Sequence, residues 1–173
     1  MRMLKTFAVS TMFSAVGLAA VGACVPAQAQ NGVVRQNEPS YPIASAVEVP
    51  AGYSTVYVSG IGSPVTNPAA PAKSVAAYGS MVTQTEESLK RIRDILKNMG
   101  LGMGDVVQMH VFMVADAQTK KLDFDGMMQS YTKFFGTKDQ PNLPVRSAFA
   151  VAQLSNPGWL VEIEVVAVKP PHH

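Results

Sequence analysis

Arg146 heads the run RSAFAV (146–151), and Glu162 and Glu164 stand in the run LVEIEVVAV (160–168). Both runs have the length and composition of strands. Alternation puts Arg146, Ala148 and Ala150 on one side of the first, with Ser147, Phe149 and Val151 on the other. In the second, Val161, Ile163, Val165 and Ala167 form a row opposite Leu160, Glu162, Glu164, Val166 and Val168. Turning the bulky rows toward helices would place Arg146, Glu162 and Glu164 together on a helix-free face. Such a constellation has two uses. It can supply ion pairs that stabilise an interface, or it can line a crevice that receives a charged ligand. The pattern leaves both open.

Other reactive residue types are sparse. Cys24 is the only cysteine, and it falls in a segment that reads as an export signal: Arg2 and Lys5, an uncharged apolar run, then Ala27-Gln28-Ala29 as a small-x-small cleavage pattern. Cleavage after Ala29 would leave no thiol nucleophile, disulfide or cysteine metal site in the fold. The alternative is VGAC (21–24), which resembles a lipobox and would leave Cys24 lipidated at the membrane. Export places the chain in the periplasm, and no membrane span is expected in the mature chain.

His110 is the only histidine away from His172 and His173 at the end, and no ligand-spaced partners accompany it, so no metal site is expected. GLGMG (100–104) lies after a helix and before a strand, the reverse of a nucleotide fingerprint. Fourteen basic residues face twelve acidic ones, and without Arg2 and Lys5 the two are equal, which gives no electrostatic case for nucleic acid. The basic run SLKRIRDILK is interspersed with Glu86, Glu87 and Asp94 nearby, as in a solvated, salt-bridged helix face.

The elements that must position Arg146 and the glutamates follow from periodicity. After a loose polar segment over 30–40, IASAVEV (43–49) and STVYVS (54–59) read as strands around a turn. GIGSPVTNPAAPAKSVAAYG (60–79) is a long loop. Residues 80–100 carry Val82, Thr85, Leu89, Ile92 and Leu96 at helical spacing, with Gly100 as the stop. DVVQMHVFMV (105–114) alternates as a strand, and 122–136 gives a second helix with Phe124, Met127, Met128, Tyr131 and Phe135 along one stripe. The expected domain spans 41–169, with 170–173 as a tail. Its order, β-β-α-β-α-β-β, makes an α+β fold with a mixed sheet and two helices on one face. The other face carries Leu160, Val166, Val168, Val106 and Phe112 beside Gln108 and His110. Exposed apolar area of that kind marks an interface, and a closed ring of identical subunits is the expected partner.

At PVRSAFAVAQL followed by LVEIEVVAV the chain resembles the Rid/YjgF family, the reactive intermediate deaminases, whose C-terminal signature is a Pro-x-Arg-Ser strand and then a Val-Glu-Ile-Glu strand. VYVSG, LKNMGLGMGDVVQMHVFM and YTKFF extend the resemblance over roughly 40–168. It implies a chorismate-mutase-like fold assembled as a homotrimer, with sites in the clefts between subunits. It also implies cofactor-free hydrolysis of enamines and imines of amino-acid-like carboxylates to 2-oxo acids and ammonia. In that chemistry Arg146 clamps the substrate carboxylate and Glu162 directs water.

Ser59 and Gly60 match the family's Ser-Gly-Gln segment, but Ile61 replaces its glutamine. Ile43 stands for a strand tyrosine, Met128 for a helix asparagine and Ala148 for a frequent cysteine. The implied pocket is therefore more apolar, and Tyr41 replaces the missing tyrosine only if the register slips by two. Such a pocket suits a substrate with a larger apolar side chain. The alternative is a non-catalytic trimer of the same fold that binds a small ligand or a protein.

Overall fold

The pattern of 80–100 gives the longest helix. In the computed structural model, which describes residues 28–30 and 32–171, α2 covers Met81–Asn98, with the Ser80 hydroxyl accepting from Thr83 N–H at its start. Leu89, Ile92 and Leu96 are fully buried, three and four residues apart, and Gly100 follows in the left-handed region (φ 73°). The preceding long loop contains one short helix, α1 (Val75–Tyr78). α3 spans Phe124–Tyr131, shorter than the periodicity predicts. Asp123 caps it by accepting from Gly126 N–H at 2.8 Å, and the chain past Thr132 continues in turns that still bury Phe135.

The remaining strands are β1 (Gln28–Gln30), β2 (Val33–Asn37), β3 (Ala44–Glu48), β4 (Ser54–Gly62), β5 (Val106–Met113), β6 (Val145–Ala150) and β7 (Val161–Lys169). Four form a sheet in the order β4-β7-β5-β6, with β5 and β6 parallel and the other pairs antiparallel. This is the expected mixed sheet of an α+β fold. Val161, Ile163, Val165 and Ala167 of β7 join Met109, Val111 and Met113 of β5 in the core with α2 and α3. Each of these side chains apart from Ala167 contributes roughly 1.5–3 kcal/mol by leaving water.

The segment expected to be loose, 30–40, is not. β2 lies between β1 and β3 in a second, antiparallel sheet. Val33 packs with Val107 and Val168, covering part of the face expected to be open. Arg35 is 3% exposed and donates to the carbonyls of Gly104 (2.9 Å) and Val106 (3.1 Å). Its charge concealed the alternation of VVRQN. Carbonyls at the start of β5 make its burial tolerable, although desolvation still pulls the guanidinium below its ordinary pKa while Asp105 opposes this.

A bulge between Val106 and Gln108 places Val106 in the main core, against expectation; Leu160 is also in that core and not on the open face. The rest of the expected export signal, including Cys24, lies outside the described residues, as do His172 and His173. Among the described residues no helix is long and apolar enough to cross a membrane.

Glu86 ties α2 to the turns that follow α3. Its carboxylate meets Lys133 at 2.7 Å and Lys90 at 2.9 Å, and the hydrogen bond from Lys133, then that from Lys90, lowers its pKa from 4.5 to about 2. The folded value lies below the unfolded one, so this stabilisation is complete above pH 4.5 and is lost as pH falls toward 2. Glu86→Gln is therefore expected to flatten the acid limb of the stability curve across that window, measured by urea unfolding at a series of pH values.

Candidate active site

Register decides which face Arg146 occupies. β6 pairs with β5 so that Arg146 lies beside Met109, and Phe149 beside Phe112. Met109 is fully buried under the helices, and paired residues of neighbouring strands project to the same face. Arg146 therefore projects toward the helices. Glu162 pairs with Phe112 and Glu164 with His110, on the opposite face. The expectation that Arg146 shares a face with Glu162 and Glu164 is overturned. It rested on Phe149 packing against helices, whereas Phe149 is 44% exposed and stacks on Phe112, with ring centroids 5.8 Å apart, next to His110. At an edge strand, bulk alone does not set the buried side.

On the helix side Arg146 sits among aromatic rings. Its guanidinium carbon is 4.5 Å from the Tyr131 ring centroid, 5.5 Å from that of Tyr41 and 5.8 Å from that of Phe124. Nη1 donates to the Met128 sulfur at 2.9 Å, and Nε is buried without a partner. No carboxylate among the described residues pairs with it, so the interface ion-pair reading with Glu162 or Glu164 does not hold within one copy. The rings hold the cation by its faces. A thioether is a weak acceptor, and a buried unpaired donor costs roughly 1–3 kcal/mol. A planar anion that engages the free donors would offset that cost. The Tyr131 hydroxyl donates to Pro42 O at 2.9 Å, and burial raises its pKa while Arg146 pulls the other way.

Ile43 and Arg146 line a cavity of about 260 Å³ at the start of β6, together with Gln108, His110 and Ser147. Ile43 and Met128 are thus both placed near the arginine. Tyr41 is placed there as well, so the tyrosine two positions before Ile43 reaches the guanidinium. Tyr131 and Phe124 were read from the sequence only as a core stripe. Their helical spacing with Met128 was the available signal, because Phe124, Met128 and Tyr131 share one face of α3. Ala148, paired with Val111, is exposed two places along β6 on the same face as Arg146.

Ser59, Gly60 and Glu162 form a separate group across β4 and β7. A bulge between Val58 and Ile61 breaks the register there. A Cβ on Gly60 would overlap the Glu162 carboxylate, so the absent side chain is the space into which that carboxylate fits. Ser59 is exposed and lines a second cavity, about 420 Å³, with Tyr57, Gln108, His110 and Glu164. His110 Nδ1 lies 2.8 Å from Glu164 and Nε2 3.0 Å from the Gln108 amide nitrogen. That contact fits an imidazole with its proton on Nδ1. Among the described residues no three metal-ligating side chains gather.

The family model for Endoribonuclease L-PSP matches residues 38–169, and the chain belongs to this family, the Rid/YjgF proteins. It is 36% identical over 89 residues to a RutC family protein of Haemophilus influenzae, a match covering 51% of this chain and 64% of that protein. It is 34% identical over 97 residues to the 2-iminobutanoate/2-iminopropanoate deaminase of Salmonella typhimurium, covering 56% and 70%. The chain thus spans just under two thirds of the first of these relatives. Among solved structures, that of Escherichia coli TdcF with bound serine aligns with a TM-score of 0.52 at 30% identity, over 70% of this chain and 84% of that one. The Escherichia coli YjgF gene product aligns with a TM-score of 0.52 at 28% identity over the same shares.

Gly60→Ala is expected to displace the Glu162 side chain while leaving the fold intact. Circular dichroism should be unchanged, and in a crystal structure of the variant the Glu162 χ angles should differ.

Proposed function

We propose that the protein hydrolyses 2-imino and enamine acids to 2-oxo acids and ammonia, in a homotrimer whose sites lie between subunits. One observation carries the reading: a guanidinium held under three aromatic rings, with a buried free donor and, among the described residues, no carboxylate beside it. The names of its relatives, and the serine bound to TdcF, agree with a ligand that carries a carboxylate. Arg146 binds that carboxylate through its forked donors. The cage of Ile43, Met128 and the rings accepts an apolar side chain in preference to a polar one.

Glu162 acts on water. As a carboxylate it accepts a proton while the water oxygen attacks the imine carbon. It then returns the proton to nitrogen, and the carbinolamine collapses to the carbonyl with loss of ammonia. Because Arg146 and Glu162 project from opposite faces of one sheet, a single copy does not present both to one substrate. A neighbouring copy must supply the second group, and the face bearing Phe149 and Tyr57, the latter 79% exposed, is the surface available for it.

The N-terminal segment supports export, with imines arising from oxidation of amines or amino acids in the periplasm. Cleavage after Ala29 would leave only Gln30 of β1, so β2 would become an edge strand. N-terminal sequencing of the periplasmic protein is expected to begin at Gln30; a lipidated Cys24 would identify the anchored form instead.

Imines generated in situ by an amino-acid oxidase and trapped with semicarbazide should disappear faster in the presence of the protein, with apolar side chains favoured. Arg146→Ala should lower kcat/KM by about 10²-fold, mostly through KM, and Glu162→Gln should lower kcat by about 10²-fold or more. No acceleration across short, long and aromatic side chains, with carboxylate binding retained, would make this a binding protein.

A further inference from the structure

Met128 touches the site's cation through its sulfur. Of the methionines among the described residues, Met81, Met103, Met109, Met113 and Met127 are buried, and only Met99 and Met128 are accessible. Met99 is 48% exposed at the end of α2, remote in sequence from any proposed site residue. Met128 is partly exposed, and its sulfur accepts from Arg146 Nη1 at 2.9 Å.

We infer that Met128 is a reversible oxidation site, and that its sulfoxide captures the Arg146 guanidinium and so closes the carboxylate clamp. The oxidant is a peroxide, which is small enough to enter any cleft that admits a substrate. An oxygen atom passes from peroxide to a sulfur lone pair. The O–O bond breaks, the S=O bond forms, and water leaves; sulfur loses an electron pair and peroxide gains it. The product replaces a weak thioether acceptor with a strongly polar oxygen. Arg146 has no anionic partner among the described residues and a buried unpaired Nε, so it is a ready donor to that oxygen. The 2.9 Å contact leaves no room for an oxygen between sulfur and Nη1, so the guanidinium must shift to make the new hydrogen bond. Reduction of the sulfoxide restores the thioether and frees the donors.

The effect on turnover rests on the clamp proposed above, whereas the chemistry at sulfur does not, and the test separates the two. The full-length protein is treated with graded hydrogen peroxide, and the oxidised methionines are located by peptide mass spectrometry. The reactivity of Arg146 toward phenylglyoxal, a guanidine-selective reagent, is followed in parallel. Met128 sulfoxide is expected to form with or before Met99 sulfoxide and ahead of the buried methionines. Modification of Arg146 should then slow by roughly fivefold or more, as expected for donors engaged by a new acceptor. Methionine sulfoxide reductases acting on both epimers should restore it, and peroxide should not alter Arg146 reactivity in Met128→Leu.

The inference is overturned if Met128 stays reduced once Met99 is converted, or if Arg146 reactivity is indifferent to Met128 sulfoxide. If Arg146 reactivity falls but neither form accelerates imine loss, the deaminase reading fails and this one stands. If both hold, oxidation raises KM by roughly tenfold with kcat less affected.

Discussion

A guanidinium placed under aromatic rings, with no carboxylate among the described residues to neutralise it, is the constraint on which the rest of this molecule depends. Three elements converge to hold it there: β6 carries Arg146, α3 supplies Phe124, Met128 and Tyr131, and the segment before β3 supplies Tyr41 and Ile43. Their positions are set by the apolar core. Tyr131 is pinned by its hydrogen bond to Pro42 O and by stacking on Phe135, with centroids 5.0 Å apart, which ties α3 to the chain entering β3. A cation held in this way is preorganised for an anion, because little side-chain entropy remains to be lost when one binds.

Sheet geometry then imposes the separation of the two chemical groups. β6 and β7 lie on either side of β5, roughly 10 Å apart at ordinary strand spacing, and their functional side chains leave opposite faces. Gly60 prepares the place of Glu162 as the aromatic rings prepare that of Arg146. In the function proposed above, these two groups are half-sites. Assembly is what would join them, and the polar row Gln108–His110–Glu164 with exposed Phe149 and Tyr57 lies on the face where copies would meet.

Much of this was legible in the sequence, for reasons that differ by element. α2 and β7 announced themselves because their apolar rows are complete: Leu89, Ile92 and Leu96 in one, Val161, Ile163, Val165 and Ala167 in the other. β2 was hidden because Arg35 occupies a buried position that normally goes to an apolar residue, and only the carbonyls of Gly104 and Val106 make that tolerable. The face of β6 was misread because Phe149, an aromatic residue on an edge strand, packs on other rings at the surface and not under helices. The family resemblance named Arg146, Glu162, Gly60, Ile43 and Met128. It could not show that Tyr41 would reach the guanidinium from two positions upstream, because that depends on the path of the chain entering β3.

In the proposed assembly a working site takes Arg146 from one copy and Glu162 from another. Arg146→Ala chains and Glu162→Gln chains, carrying different tags and each slowed about 10²-fold at substrate below KM, can be co-assembled and the mixed oligomers purified through both tags. Every mixed trimer then has one of its three sites with both groups intact, so imine hydrolysis should return to about one third of the wild-type rate. Mixed oligomers as inactive as their parents would contradict the account, since a site built within one copy carries a lesion in every chain.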